Sequence, residues 1–336
     1  MNSESEIKKE VGLCMTFLSV IIPTRNRAKS LANTLASLTK QTYSTDWYEV
    51  LVIDNGSTDN TRDVCTTFRD KIPQLRYVYE EKPGLHVGRH LGMKMAQSDI
   101  LVYADDDIEA FPTWLETIAE NFKNPEVVLV GGKDLPKFES EPPQWIQKLW
   151  EKDNHDNRYL GYLSIIDLGE VRKEINPSHV FGCNFSIRKS ILLEAGGFHP
   201  DAMPEDMIRF RGDGESHISR FIENKRYKTV YHPKASVYHN VPKDRLTEEY
   251  FCKRAYLQGI SDSYTKIRND VQNRLFTAYH LIWFLRLHRK KWQLYLNMKR
   301  RLFENSYYKG YSMHQNASRK DKTLYEWIIR THYMDG

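Results

Sequence analysis

The sequence predicts an α/β fold: a mainly parallel sheet with helices on both faces, followed by a helical C-terminal extension. Three observations predict it. Short apolar, β-branched runs alternate with segments of helical spacing over the first 240 or so residues. Three of those runs end in polar loops, Pro23 to Arg27, Asp54 to Ser57 and Asp105 to Asp107. Such loops lie on the sheet edge where open α/β folds bind ligands. From Thr247 onward the helical period takes over.

Each element has its own signal. Phe17 to Ile22 is a β-branched run cut off by Pro23, which predicts a buried strand ending in a loop. Leu31, Leu35 and Leu38 then recur at helical spacing, and that helix ends near Gln41. Tyr48 to Ile53 is a second strand, closed by Asp54-Asn55-Gly56-Ser57, after which Asp59-Asn60-Thr61 opens a helix with capping residues. Leu75 to Tyr79 is a third strand, Gly88 to Ala96 a helix, and Ile100 to Tyr103 a fourth strand. Val127 to Val130 and Val180 to Ile187 read as further strands around a variable lobe between Lys133 and Asn176. Lys189 to Ala195 and Ser216 to Asn224 are helical, and Tyr227 to Tyr231 and Ala235 to Tyr238 finish the core as strands.

Composition sets bounds on function. The 336 residues are 40% hydrophobic and 28% charged, ordinary for a globular protein with a large core. The four cysteines are scattered without a CxxC pair, which argues for a reducing compartment and against structural zinc. No basic segment followed by a long apolar run opens the chain, and no stretch approaches the roughly 20 apolar residues of a bilayer span. The expected location is cytoplasmic, with peripheral contact on the inner face of a membrane. Net charge is +5, yet from Leu246 onward 17 Lys and Arg face 8 Asp and Glu, so the preceding part is about four charges negative.

Asp105-Asp106-Asp107 directly follows an apolar strand. Three adjacent carboxylates at a sheet edge repel one another unless a cation neutralises them, and hard oxygen donors suit Mg²⁺ or Mn²⁺. A plain turn also favours Asp, but rarely three in a row.

Five ordered motifs carry a family resemblance: SVIIPTRNR, VLVIDNGSTDNT, PGLHVGRHLGM, ILVYADDDIE and GCNFSIRKS. Their order and spacing over about residues 17 to 240 resemble glycosyltransferase family 2, inverting enzymes with the Rossmann-like GT-A fold. The resemblance implies a catalytic domain over 1–245 and a basic helical extension over 246–336. It implies that Pro23, Thr24, Arg27, Asn55, Ser57 and Gly84 line the nucleotide-sugar pocket, with Asp54 on the uracil edge and Arg89 near a phosphate. It makes Asp106 the main metal contact, Asp107 a helper, and Asp105 a ligand of the ribose or of metal-bound water. Ala104 stands where the family's first aspartate is usual.

The family's catalytic base falls on Glu215 when counted back from Tyr227, with Asp213 as the second candidate. A helix-start acid complementing the helix dipole is the structural alternative. His239 resembles a late histidine that some relatives use as a metal ligand. Gly182 and Asn184 match positions beside the sugar, and Trp145 and Trp150 are candidates for stacking on an acceptor sugar or for core packing.

Leu281, Trp283, Phe284, Leu287 and Trp292, interleaved with Arg286, Arg289, Lys290, Lys291, Lys299, Arg300 and Arg301, read as a basic amphipathic region. It suits either an anionic membrane surface or packing on the catalytic body. Nucleic acid is the poorer partner, since no recognition module is present, and none is expected.

The implied function is metal-dependent transfer of a sugar from a UDP-sugar to a hydroxyl of a glycan or lipid-linked glycan. A sugar-phosphate nucleotidyltransferase would need a glycine-rich loop after the first strand, and residues 23–27 have no glycine. An inactive carbohydrate-binding or scaffolding member of a glycan assembly complex is the other alternative.

Overall fold

The computed structural model of the protein describes residues 15–271 and 297–334. Thirteen strands lie among these residues: β1 Leu18–Thr24, β2 Tyr48–Asp54, β3 Leu75–Tyr79, β4 Ile100–Ala104, β5 Ile108–Ala110, β6 Val127–Gly131 and β7 Asp134–Phe138, then β8 Arg158–Leu160, β9 Ile165–Asp167, β10 Lys173–Glu174, β11 Asn184–Arg188, β12 Lys228–Tyr231 and β13 Val237–Val241. The helices are α1 Ala28–Leu38, α2 Thr61–Phe68, α3 Leu85–Met95, α4 Trp114–Phe122, α5 Gln144–Leu149, α6 Lys189–Glu194 and α7 Ser216–Lys225, then α8 Glu248–Val271, α9 Asn297–Lys320 and α10 Lys322–Ile328.

The main sheet has the order β10-β12-β6-β11-β4-β1-β2-β3. β1 pairs in parallel with both β2 and β4, so the chain reverses its direction of travel across the sheet there. That is the switch point at which α/β sheets open a crevice. The central strands are apolar on both sides because both faces are covered. Leu18, Val20 and Ile22 pack with Leu31 and Leu35 of α1 and Trp114 of α4, whereas Ile21, Leu51 and Tyr103 pack with Met93 of α3 and Ile218 of α7. β11 runs antiparallel between β4 and β6.

A second sheet, β5-β13-β7-β9-β8, stands beside the first. It accounts for much of the lobe between Lys133 and Asn176, where strands of three to five residues broken by Pro and charge left little periodicity. Its register matters for function. β13 pairs with β5 so that His239 lies opposite Ile108, next to the acidic cluster.

Three other boundaries differ from expectation. Residues 180–183 turn before β11 begins at Asn184. Helix α3 starts at Leu85 rather than Gly88, because Gly84 takes φ +117° and lets the chain turn into it. Helix α4, with Trp114, Leu115, Ile118 and Phe122 buried, has no counterpart in the sequence reading.

Helices α8, α9 and α10 pack against the sheet-bearing part. Phe251 meets Trp145 edge-on with ring centres 4.7 Å apart, and Tyr264, Ile267, Leu324, Ile328 and Tyr333 form their own buried cluster. Most of the basic amphipathic region, from Leu281 to Trp292, lies outside the described residues. No helix among the described residues is long and apolar enough to cross a membrane.

Candidate active site

A cleft opens over the ends of β1, β2 and β4 and is closed on its far side by α8. The strand register builds its floor. β1 ends beside β4, so Thr24 reaches the turn after Ala104, and its hydroxyl donates to Asp106 Oδ2 at 2.7 Å. Arg27 binds two acids at once, with Nη1 2.8 Å from Asp106 and Nη2 2.7 Å from Asp107. These two acids draw the Arg27 pKa upward against its burial. Burial raises Asp106 to about 7, with the Arg27 charge opposing it.

The candidate metal set is Asp105, Asp107 and His239, whose ligand atoms lie within 4.8 Å of one another. This differs from the expected emphasis on Asp106, which is turned toward Thr24 and Arg27. The turn after β4 sets Asp106 apart from Asp105 and Asp107, so the three adjacent carboxylates need not all share one ion.

His239 shows why a cation fits. Its Nδ1 donates to the Leu163 carbonyl at 2.9 Å, which leaves the Nε2 lone pair facing Asp107 Oδ1 at 3.4 Å. That oxygen is buried and has no hydrogen bond. Two lone pairs facing each other need a proton or a metal between them, and a histidine oriented through its other nitrogen by a carbonyl is the usual support for ligation. Burial disfavours a charged His239, but Asp107 outweighs it and raises the pKa. Asp107 in turn is held well below the usual carboxylate range, because His239, Arg27 and Arg245 outweigh its burial. Asp105 is pushed up by burial and then by Asp107.

Arg89, on α3, is 3% exposed and spans the cleft. Its Nη1 lies 3.3 Å from Glu215 Oε2 and its Nη2 3.8 Å from Asp105 Oδ1, while its plane covers Phe198 at 4.9 Å. Gly182 makes this meeting possible, since a Cβ there would strike the Arg89 guanidinium and lie 3.2 Å from Glu215 Oε1. Pro23, Thr24, Arg27, Asn55, Gly84, Arg89, Gly182 and Glu215 all line the cleft. Asn55 also braces it, with Oδ1 accepting from Gly84 N–H at 3.1 Å.

Five expected residues are turned elsewhere. Asp54 is buried and does not line the cleft; one oxygen accepts from Ser57 N–H in its own turn at 2.8 Å and the other from Tyr77 O–H on β3 at 2.7 Å. Ser57 Oγ accepts from Asn26 N–H at 2.8 Å and ties two loops together. The Asn184 amide is saturated by Trp114, Asp134 and the Ala235 carbonyl, at 2.9, 3.0 and 3.0 Å. Trp145 is packed against Phe251 and Phe303 in the core and presents no face to a sugar. Asp213 is buried beneath the cleft on His199, Arg220 and Thr265, which excludes it from reaching a substrate hydroxyl.

The structure adds residues that sequence reasoning missed. Asp201, Arg211, Arg245, Tyr250 and Arg254 line the cleft. Tyr250 and Arg254 sit one turn apart on α8, an i, i+4 spacing that marks a shared helix face.

Comparison with known proteins decides the family. Residues 19–196, just over half of the chain, match the family model described as Glycosyl transferase family 2. The chain belongs to glycosyltransferase family 2. It is therefore an enzyme of the glycosyltransferase class. It is 24% identical over 248 residues to the glucosyl-dolichyl phosphate glucuronosyltransferase of Haloferax volcanii, covering 73% of this chain and 75% of the relative. It is 36% identical over 119 residues to glycosyltransferase AglE of the same organism, covering 35% of this chain and 39% of the relative. Among solved structures it resembles the mannosyltransferase PcManGT of Pyrobaculum calidifontis, solved with GDP-Man and Mn²⁺. The TM-score is 0.53 at 17% identity, covering 95% of this chain and 84% of the other. That likeness shows the GT-A type fold, in which this family 2 chain places its cleft at the sheet's switch point.

Proposed function

We propose that this family 2 enzyme is a metal-dependent inverting transferase that moves a sugar from a UDP-sugar to a hydroxyl of a glycan or lipid-linked glycan. The observation that carries this reading is the placement of Glu215 across the cleft from Asp105, with Arg89 reaching both. Donor-side acids and a candidate base thereby face one space.

In this reading Pro23, Thr24, Arg27, Asn55 and Gly84 hold the nucleotide, and Asp105, Asp107 and His239 hold Mn²⁺ or Mg²⁺. The ion, when bound, would offset negative charge that gathers on the diphosphate as it departs. Arg89 neutralises part of the same charge and keeps the Glu215 carboxylate aimed into the cleft. Glu215 takes the proton from the acceptor hydroxyl as its oxygen bonds to the anomeric carbon from the far side. The bond from that carbon to the phosphate oxygen breaks at the same time, and UDP leaves with the electron pair. No covalent sugar–enzyme bond forms.

PcManGT was solved with GDP-Man and Mn²⁺, which supports a nucleotide-sugar donor and a divalent ion. The Haloferax volcanii relative is named for a glucosyl-dolichyl phosphate, which supports a lipid-linked acceptor. The surplus of positive charge from Leu246 onward supports peripheral contact with an anionic membrane. The reading is tested by thermal shift of the full chain with a panel of nucleotide sugars plus Mn²⁺. A UDP-sugar should raise the melting point and EDTA should cancel the rise. A panel with no shift under any divalent cation overturns the reading.

A further inference from the structure

The cleft wall carries a half-buried guanidinium that nothing answers among the described residues. Arg27, Arg89, Arg211 and Arg245 each face an acid: Asp106 and Asp107, Asp105 and Glu215, Asp201 at 2.5 Å, and Asp107 at 3.3 Å. Arg25, at the rim, is exposed to solvent. Arg254 also lines the cleft, yet it has no hydrogen bond or ion pair among the described residues. Its Nε is shielded from solvent without an acceptor. The side chain nevertheless lines the cleft, where a bound oxyanion would answer its charge. The nearby acid cannot serve. Asp201 lies in the field of Arg254 but is committed to Arg211 and to the Ala202 N–H at 2.7 Å.

Position tells which substrate would supply the oxygen. Arg254 enters from α8, the helix that Ser261 and Thr265 tie to Gly212 and Asp213 just before Glu215, whereas Thr24 and Arg27 stand at the end of β1. The buried Tyr159 hydroxyl lies within the electrostatic reach of both Arg254 and Glu215. Tyr250, one turn earlier on α8, lines the same wall. Sugar hydroxyls are neutral and call for no full charge, whereas the flat guanidinium fork matches a carboxylate or phosphate through two parallel bonds.

We propose that Arg254 binds an oxyanion carried by the acceptor, so that the enzyme selects an acceptor with a phosphate or carboxylate near the attacking hydroxyl. This rests on Glu215 being the base of the transferase reading above. Two sources share the chemistry, a lipid phosphate and a uronic acid.

The experiment measures binding of octyl phosphate, methyl glucuronide and neutral octyl glucoside to the full chain saturated with Mn²⁺ and UDP. Wild type is compared with Arg254→Gln, which removes the charge, and Arg254→Lys, which keeps the charge without the fork. Octyl phosphate, methyl glucuronide or both should bind at least tenfold more weakly to Arg254→Gln, with Arg254→Lys between, and the probe that loses affinity names the source. Octyl glucoside and UDP with Mn²⁺ should bind both proteins alike, and the unchanged nucleotide affinity also reports an intact fold. Equal binding of the oxyanion probes to wild type and Arg254→Gln, or no binding to wild type, overturns the proposal. So does a loss that falls on UDP, which would put Arg254 on the donor. If UDP fails to bind wild type while the oxyanion contrast persists, the donor reading falls and the Arg254 subsite stands.

Discussion

Thr265 Oγ1 donates a 2.7 Å hydrogen bond to Asp213 Oδ2 and so ties the middle of α8 to the loop that carries Glu215. The tie is part of a buried network. Ser261 Oγ donates to the Gly212 carbonyl at 2.7 Å, and Asp213 also meets His199 Nδ1 at 2.6 Å and the Arg220 guanidinium. Those charges hold the Asp213 carboxyl well below its usual range against its burial. The Thr265→Val variant loses one bond to a charged acceptor, expected to destabilise the fold by about 1.5–3 kcal/mol. Turnover should fall severalfold while the donor KM stays level, because the base is mispositioned and the donor pocket is untouched. Urea melts and steady-state kinetics check both.

Glu215 and Asp213 should separate cleanly under mutation. Glu215→Gln keeps the size of the side chain and a hydrogen-bond acceptor for Arg89, but cannot take a proton. Turnover should drop about 10²–10⁴-fold, the usual contribution of a general base, with UDP affinity retained. Asp213→Asn leaves Arg220 without its counter-charge and His199 without its charged acceptor, and should show mainly as a lowered melting point. Turnover in Glu215→Gln within a few-fold of wild type would remove Glu215 from the mechanism.

His239 predicts a pH-dependent metal requirement. Asp107 raises its pKa, and protonated imidazole cannot ligate, so cation binding must displace that proton. The Mn²⁺ concentration for half-maximal activity should therefore rise as pH falls from 8 to 6. In His239→Ala it should be higher throughout, at least tenfold, and lose most of its pH dependence. A Mn²⁺ titration at the two pH values reads both effects, and identical curves for variant and wild type would exclude His239 as a ligand.

Much of the fold was legible because the central strands carry one signal throughout. All seven residues of β1 and of β2 are buried, and five of the seven in each strand are non-polar or aromatic. Most of the second sheet beyond β13 was not legible, since β5, β8 and β9 are three residues long and take their order from pairing with distant strands. At the site, three adjacent carboxylates announced themselves, but the turn after β4 decides that Asp106 turns to Thr24 and Arg27 while Asp107 meets both Arg27 and His239. Asp54, Asn184 and Asp213 are residue types that serve ligands and buried scaffolding equally well, and only their partners distinguish the two uses. Arg254 gave no local signal because its meaning depends on α8 folding back over the cleft.

The buried histidines of α3 set an acid limit on stability. His86 is 1% exposed with neither ring nitrogen bonded, and burial lowers its pKa to about 4. His90 donates from Nδ1 to the Tyr333 carbonyl and accepts from Phe198 N–H, and burial lowers it to about 3. Both are neutral when folded and charge near pH 6.5 when unfolded, so below pH 6.5 the unfolded chain binds more protons. Stability should fall by up to about 1.4 kcal/mol per pH unit for each, from pH 6.5 down to about 4. The His86→Leu variant removes two unmatched nitrogens and one of these protons, so its melting point should decline less steeply over that range.

The crossing of α8 and α9 allows no side chain at two glycines. A Cβ on Gly259 would strike the Tyr307 carbonyl oxygen, and one on Gly310 would strike the Tyr256 carbonyl oxygen. Backbone cannot yield as a side-chain tip does, so each alanine must push the helices apart. Each single substitution, Gly259→Ala or Gly310→Ala, should destabilise the protein by about 1–3 kcal/mol. The double variant should lose less than the sum, because helices already separated for one methyl have room for the other, and contacting sites couple. Activity should fall with stability, since α8 supplies Thr265 to the base loop and Arg254 to the cleft wall. Chemical melts of the two single variants and the double variant measure the coupling, and strict additivity would show that the two glycines do not share one constraint.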